Sequence, residues 1–246
     1  MTRDPSAVIN RRRYSFAVIF TALGFVLLAK AVRMELSVAT LFVGWFGVCV
    51  FILGIAFVFR YAGVFGKTAS GSMRLVPRTI MFPFSCTTWV AWSLQNRVVR
   101  EPIWNTVSPG LVVGRRCTES ELPPNARAVV DLTAEFPTPR FIRESLSIVC
   151  VPTLDGCAPD WKDCVRVFDS LQPNDDSIVY VFCANGHGRS VMFVAAWLGW
   201  MGLAESPDEA IGMIKQARPL ASPNADQRSF LDEVFRVIRT DAKRDG

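Results

Sequence analysis

The sequence has little histidine, little charge and no cysteine pairs of the kind that bind metals. Its 246 residues include one histidine, which is too few for a multi-histidine metal site. The seven cysteines contain no CxxC pair and no metal-ligand spacing, so we expect neither a metal nor a cofactor. Their odd number favours a reducing compartment over a disulfide framework. Hydrophobic residues make up 50% of the chain, which excludes a disordered protein.

The net charge of +5 is unevenly distributed along the chain. Residues 1–100 hold twelve Lys or Arg and two acidic residues (12 − 2 = +10), whereas residues 101–246 hold fifteen and twenty (15 − 20 = −5). A basic average invites a nucleic-acid interpretation, but here the basic excess belongs to the apolar N-terminal part. We therefore expect a lipid bilayer as a partner and no nucleic acid.

Two long apolar runs predict a transmembrane hairpin. Leu36 to Phe59 is uncharged over twenty-four residues, or about 36 Å of helix against a hydrocarbon core of about 30 Å. Tyr14 to Ala29 is uncharged over sixteen residues, and a snorkelling Lys30 lets the helix continue to about residue 32. A secretory signal is the alternative for the first run, but no cleavage site precedes the second, longer run. We predict helices over about 14–32 and 36–59.

The distribution of Lys and Arg predicts the orientation of the hairpin. Arginines 3 and 11–13 precede it and Arg60 and Lys67 follow it, which puts both termini and the remaining domain in the cytoplasm. The protein would then be a multi-pass membrane protein. Thr79 to Asn96 is a further uncharged run, and as a third span it would reverse this topology. Its many aromatic and hydroxyl side chains favour an interfacial or domain-docking helix instead.

Beyond residue 100 the pattern changes to strands that alternate with helices. The predicted strands are Leu111–Gly114, Ala128–Thr133, Ser147–Pro152 and Ser177–Cys183, and the predicted helices are Trp161–Leu171, Val191–Trp200, Ala210–Ala217 and one opened by Ser222-Pro223. This alternation predicts an α/β fold with a mostly parallel sheet flanked by helices. We divide the chain into a membrane anchor (1–66), a linker with an interfacial apolar helix (67–100), a soluble domain (101–240) and a polar tail (241–246).

The loop after the last strand carries the clearest chemical signal. It follows Cys183 and reads Ala184, Asn185, Gly186, His187, Gly188, Arg189 and Ser190 before an apolar helix. Glycines let such a loop curl so that backbone N–H groups converge, and the helix N-terminus adds a positive dipole end. A tetrahedral dianion fits this cradle, and an arginine can bind two of its oxygens. The same field favours the thiolate form of a cysteine at its centre.

This Cys-x2-Gly-x2-Arg-Ser pattern resembles the signature of the cysteine-dependent protein tyrosine phosphatase superfamily, and the small domain is similar to its dual-specificity branch. The resemblance covers about residues 104–239. It implies that Cys183 is the nucleophile, Arg189 the phosphate clamp, residues 184–189 the phosphate loop, and Ser190 a group that helps the thiolate leave. Arg218-Pro219 and Asn224 to Gln227 resemble the closing helices of the family.

The reaction also needs a general acid from a separate loop. Asp155 lies after a predicted strand, where the resemblance implies the acid-bearing loop. Asp160 is the alternative, although its position before Trp161 favours a helix N-cap. Asp131 ends a strand, and there we expect a role in capping a turn.

The sequence departs from the family at the residue before the nucleophile, where Phe182 stands in place of the usual histidine. The histidine at 187 instead lies within the loop, either as a substrate contact or as an exposed filler. The loop lacks lysines, which argues against a multiply phosphorylated inositol headgroup. Cys157 lies near the acid loop, and a protective disulfide with Cys183 is a further hypothesis.

Three functions are consistent with these features. The first is a phosphatase for phosphotyrosine, and for phosphoserine or phosphothreonine, on membrane-associated proteins, acting through a phosphocysteine intermediate. The second is a phospholipid phosphomonoesterase similar to the enzymes that dephosphorylate phosphatidylglycerophosphate, which the anchor and the Trp-rich run favour. The third is a phosphate-binding module without activity.

Overall fold

Two long apolar helices open the chain. The structure, a computed structural model, describes residues 11–174 and 176–242, with side chains for 14–174 and 176–240. Helix α1 (Arg11–Arg33) and helix α2 (Val38–Phe59) pack closely along each other. A side chain at Gly24 would lie 2.6 Å from the backbone nitrogen of Phe51, so glycine at this position is what permits the close approach.

Both helices are long and apolar enough to cross a membrane, over Tyr14–Arg33 and Val38–Phe59. These bounds agree with the predicted 14–32 and 36–59 to within two residues. Their outer faces leave large apolar side chains exposed, among them Val18, Phe25 and Leu41. Apolar surface of this extent indicates a lipid or protein environment. Arg3 and the end of the predicted tail, 243–246, lie outside the described residues.

The uncharged run Thr79 to Asn96, for which a third span was the less favoured alternative, forms a broken helix. Helix α3 (Leu75–Ile80) and helix α4 (Phe82–Val98) meet at the buried Met81, and α4 has 17 residues. The carbonyl of Ile80, freed at the break, accepts hydrogen bonds from Trp45 Nε1 at 3.0 Å and Cys49 Sγ at 2.8 Å. The break therefore lies against the middle of α2, where its exposed backbone group finds partners.

The soluble part is built on a five-stranded sheet in the order β1-β2-β5-β3-β4. Its strands are β1 (Trp104–Ser108), β2 (Leu111–Arg115), β3 (Ala126–Thr133), β4 (Ser147–Thr153) and β5 (Ile178–Cys183). Strand β1 is antiparallel to β2, and the other neighbours are parallel. The predicted mostly parallel α/β sheet is confirmed. Strand β1 was not predicted, because its polar side chains lack the apolar pattern of the other strands.

Helices cover both faces of the sheet. They are α5 (Arg140–Ser145), α6 (Trp161–Ser170), α7 (Arg189–Trp200), α8 (Pro207–Ala217) and α9 (Ala225–Ala242). Helix α7 is buried along nearly its whole length and forms the centre of the core. Asp160 caps α6 as predicted, and Ser206 caps α8. The prediction that Ser222 caps the last helix was wrong, because the Asn224 side chain accepts from the backbone nitrogens of Asp226 and Gln227 instead.

The segment between the hairpin and α3 is fixed to the soluble domain by a buried ion pair. Lys67 Nζ lies 2.7 Å from Asp131 Oδ2, and neither side chain is exposed to solvent. Asp131 also accepts from the hydroxyls of Thr133 and Thr138 and from the backbone nitrogen of Thr133, which confirms the expected turn cap. Burial alone would raise the pKa of Asp131, but the Lys67 charge and these hydrogen bonds together hold it below its ordinary value.

We expect Lys67→Met to destabilise the protein by about 3–5 kcal/mol, because Asp131 would remain buried without a counter-charge. For a chain of this size this corresponds to a fall of about 10 °C in Tm, measured by thermal unfolding of the solubilised protein. The matched control is Lys215→Met, since Lys215 is exposed on α8. Equal Tm values for the two variants would contradict a structural role for the pair.

Candidate active site

The predicted phosphate loop lies at the carboxyl edge of the sheet, between the end of β5 and the start of α7. Gly186 adopts a left-handed backbone conformation (φ +76°), and a side chain there would come within 2.7 Å of the backbone of Gly114. Glycine is thus required both by the conformation and by the close approach of β2. The loop curls beneath the first turn of α7, as its sequence predicts.

Cys183 is buried at the centre of this loop. Its Sγ accepts a hydrogen bond from the backbone nitrogen of Gly186 at 3.2 Å. The hydroxyl of Ser190 lies 3.5 Å from the same sulfur. Donors from the loop and from the first turn of α7 therefore converge on the sulfur, an arrangement that stabilises negative charge.

Arg189 is buried and held by Glu135, a residue that the sequence analysis did not identify. The two terminal nitrogens of Arg189 donate to the two carboxylate oxygens of Glu135 at 2.7 and 2.8 Å, and one also donates to the carbonyl of Thr153. Burial alone would raise the pKa of Glu135, but the Arg189 charge and hydrogen bonds hold it below its ordinary value. Burial alone would lower the pKa of Arg189, and the Glu135 carboxylate raises it well above that of a free arginine.

The third nitrogen of Arg189 is the one available to an anion. Its Nε is buried, and within the described residues it has no hydrogen-bond partner. The nearest charge is Asp155 Oδ1, at 3.2 Å, on a side chain that is 81% exposed. A phosphate oxygen would satisfy this buried donor, which otherwise costs free energy. The predicted clamp and the predicted acid thus share one pocket.

The loop that carries Asp155 is attached to the closing helix. The side chain of Asn224 donates to the carbonyl of Gly156 at 3.0 Å, and Gln227 donates to that of Cys157 at 3.4 Å. Asp160, the alternative acid, is occupied as an N-cap. Cys183 and Cys157 are both buried, and a disulfide between them remains a hypothesis.

Arg218 supports the phosphate loop from behind. It is buried and donates to the carbonyls of Gly186 and Pro102 and to the side chain of Asn105. It also forms an ion pair with Glu101. His187 Nε2 lies 2.7 Å from the same Glu101, and its side chain is 22% exposed, which does not fit an exposed filler. His187 also lines the pocket around Cys183, so a substrate contact remains a prediction.

Phe182 points away from the nucleophile. Alternate residues of a strand face opposite sides of the sheet, and Phe182 is fully buried with Val112, Val129 and Tyr180 on the side opposite Cys183. A side chain at this position therefore has no direct contact with the sulfur.

Helix α4 contacts the phosphate loop directly, which fits the domain-docking helix predicted for this run, although the sequence did not predict the particular contacts. Trp92 Nε1 donates to the carbonyl of Ala184 at 3.0 Å. The side-chain amide of Asn185 donates to Gln95 Oε1 at 3.1 Å. The apolar helix of the linker is therefore a structural part of the site.

Two adjoining cavities meet at these residues. One, of about 160 Å³, is lined by Cys183 and the loop residues around it. The other, of about 240 Å³, is lined mainly by aromatic and aliphatic side chains of α1, α2 and α4. Phe16, Asp155, Asn185 and Arg189 border both. A polar pocket thus adjoins an apolar one built from the predicted anchor. Within the described residues, no group of three or more potential ligand side chains is placed to bind a metal.

Comparisons with known proteins identify the class of the fold. No protein-family model and no curated protein matches the chain, but many solved structures do. A mutant form of Tk-PTP shares 23% identity over 56% of this chain and 98% of its own, with a TM-score of 0.50. PTPMT1 in complex with PI(5)P shares 21% identity over 57% and 99%, and human DUSP28 shares 22% over 56% and 99%, with TM-scores of 0.49 and 0.48.

The soluble domain therefore has the fold of the cysteine-dependent, dual-specificity-like phosphatases. The chain joins to it two apolar N-terminal helices of membrane-spanning length.

We expect Glu135→Gln to lower Tm at neutral pH and to make its fall at acid pH shallower. Because the fold holds the pKa of Glu135 below the ordinary 4.5, its pairing stabilises the protein above that pH. The contribution is lost as the pH falls through the lower folded pKa. Thermal unfolding between pH 3 and 7 measures this, and Glu144→Gln, on an exposed carboxylate of α5, is the control. If the Tm of Glu135→Gln fell with decreasing pH as steeply as that of the wild type, the stabilising role of the Glu135 carboxylate would be contradicted.

Proposed function

We propose that the protein is a membrane-anchored, cysteine-dependent phosphatase that hydrolyses phosphomonoesters through a phosphocysteine intermediate. The observation that carries this proposal is the pocket lined by both Cys183 and Arg189, in which the buried Arg189 Nε has no hydrogen-bond partner among the described residues. A thiol, a cation and converging N–H groups are what an in-line attack on a phosphate dianion requires.

In the first step, the thiolate form of Cys183 attacks phosphorus through Sγ, a P–S bond forms and the P–O bond to the leaving group breaks. The leaving alkoxide takes the proton of Asp155, which acts as the general acid. In the free protein Asp155 lies against Arg189 Nε. A bound phosphate takes that place, and the Asp155 carboxyl then lies beside it.

In the second step, water attacks the phosphocysteine, the P–S bond breaks and inorganic phosphate is released. Asp155, now a carboxylate, accepts a proton from the water. The Ser190 hydroxyl, 3.5 Å from the sulfur, donates to the departing thiolate. The cycle uses four side chains of this protein and requires no cofactor. They are Cys183, Arg189, Asp155 and Ser190.

We further propose that the hairpin spans a membrane with the catalytic domain in the cytoplasm. The long apolar helices and the arginines on the side of both termini support this orientation. The break at Met81, in contact with the middle of α2, fits a re-entrant segment better than a third span. The catalytic pocket then lies close to the bilayer surface.

The substrate class supported best is a phospholipid phosphomonoester. The sequence alone ranks phosphoproteins first, but the apolar cavity next to the phosphate pocket reverses this order. Phe16 of α1 borders the catalytic pocket itself. A substrate that remains in the bilayer reaches such a site laterally, whereas a phosphoprotein would have to approach between the domain and the membrane.

The first test concerns the chemistry. We expect Cys183→Ser to lower turnover of an aryl phosphate by about 10⁴-fold or more, because the nucleophile is lost. Asp155→Asn should slow an alkyl phosphate by about 10²–10³-fold and a p-nitrophenyl ester, whose leaving group needs little protonation, less than tenfold. Cys86→Ser, at an exposed thiol on α4, serves as the control. Equal losses on both esters would remove Asp155 from the acid role.

The second test concerns the substrate class. The Asp155→Ala variant in nanodiscs is incubated with phosphatidylglycerophosphate, phosphatidic acid and phosphotyrosine peptides, and the substrate bound after washing is measured. We expect a lipid phosphomonoester to be retained at least tenfold over the peptides, because only the lipid fills both cavities. Preferential retention of the peptides would support the phosphoprotein function instead.

A further inference from the structure

The apolar cavity is placed so that one substrate occupies it together with the phosphate pocket. It lies between the hairpin and α4, and its inner end is formed by Arg189 and Asn185 of the phosphate loop. From these observations we infer that the groove binds one acyl chain of the lipid phosphomonoester. The anchor would then form part of the substrate site. This inference rests on the proposed function and adds a chain-binding subsite to it.

One face of α4 forms a wall of the groove and changes in polarity along its length. Phe84, Thr88, Ala91 and Gln95 line the cavity at helical spacing. The polar end, Gln95, is hydrogen-bonded to the phosphate loop, and the apolar end, Phe84, lies against the hairpin. A ligand aligned with α4 would therefore meet polar groups at its head and apolar groups along its tail.

The hairpin supplies the opposite wall as a packed aromatic cluster. The ring of Phe57 lies 5.4 Å from that of Phe16 and 5.6 Å from that of Phe20. Phe20 in turn contacts Phe84 edge to face at 6.3 Å, which links the hairpin to α4. Rings that pack against one another keep the groove open, so an apolar ligand would find it already formed.

The charges at the inner end match a phosphate head. Two carboxylates border the cavity there, Glu135 and Asp155. Glu135 is neutralised by its bidentate pair with Arg189, and Asp155 lies at the exposed rim. The remaining Arg189 donor faces the space in which the two cavities meet. A dianionic head with an apolar tail complements this arrangement, whereas the outer part of the groove offers little to a polar peptide.

The volume of the groove limits what it binds. At about 240 Å³ it is smaller than the roughly 300–1,000 Å³ of pockets that enclose drug-sized ligands. It therefore suits a segment of one chain near the headgroup, while the rest of the lipid remains along the exposed apolar faces of the helices.

The test measures kcat/KM for unbranched alkyl phosphates from ethyl to octyl, with the full chain in nanodiscs. We expect kcat/KM to rise about three- to fourfold per added methylene until the groove is filled, as expected for burial of apolar groups. A phosphatase without this subsite would give a flat series. If turnover depends on Cys183 but kcat/KM does not change with chain length, the inference is overturned and the phosphatase function stands. If no turnover depends on Cys183, the phosphatase function itself is overturned.

Two variants and a control locate the effect in the groove. Ala91→Trp should lower the octyl-to-ethyl ratio of kcat/KM at least tenfold by filling the cavity, and Phe84→Ala should shift the preference to longer chains. Val90→Trp is the control, because Val90 lies on the same helix, is exposed and does not line the groove. Partial unfolding of a variant lowers the rates on octyl and ethyl phosphate equally, so it does not change the octyl-to-ethyl ratio of kcat/KM. An unchanged ratio in Ala91→Trp would overturn the inference, as would a faster rate on phosphotyrosine peptides combined with a flat series.

Discussion

A buried cation must be paired, and the pairing of Arg189 determines how the site is built. A guanidinium removed from water costs several kcal/mol unless a carboxylate faces it with good geometry. Glu135 supplies this carboxylate from the segment that follows β3, and it occupies both terminal nitrogens. Only Nε is left toward the pocket. The bidentate pair therefore fixes the plane of the guanidinium before any phosphate arrives, which reduces the reorganisation that binding requires.

The same segment after β3 connects the site to the anchor. Asp131, four residues before Glu135, forms the buried pair with Lys67, which follows the hairpin by a few residues. The carbonyl of Thr133, between the two carboxylates, accepts from Lys67 as well. The position of the hairpin relative to the phosphate clamp is thus set over a few residues of backbone. A hairpin held in this way behaves as a structural neighbour of the site, in contrast to a flexible tether.

The features that depend on local sequence patterns could be predicted, whereas the contacts between residues far apart in the sequence could not. The phosphate loop, the parallel strands and the two apolar helices are each encoded within a short stretch, by glycine spacing, β-branched runs or length. Glu135 meets Arg189 across 54 residues, and Trp92 meets Ala184 across 92. No periodicity predicts such pairs. A charged residue just after a buried strand, as at Glu135, was the one available signal, because parallel strands bring their carboxyl ends to a common edge.

An anchor can act on catalysis in two physically different ways. A tether raises the effective concentration of any membrane substrate and leaves selectivity among substrates unchanged, since it contacts none of them. An anchor that lines the binding site contributes contacts to the substrate, and these contacts differ between substrates with different tails. Phe16 and Phe20 lie in the first helix and yet border the space next to Arg189. A hairpin that only retained the enzyme at the bilayer would not need aromatic side chains there. Under the proposed function, their position argues that selectivity among substrates resides partly in the hairpin.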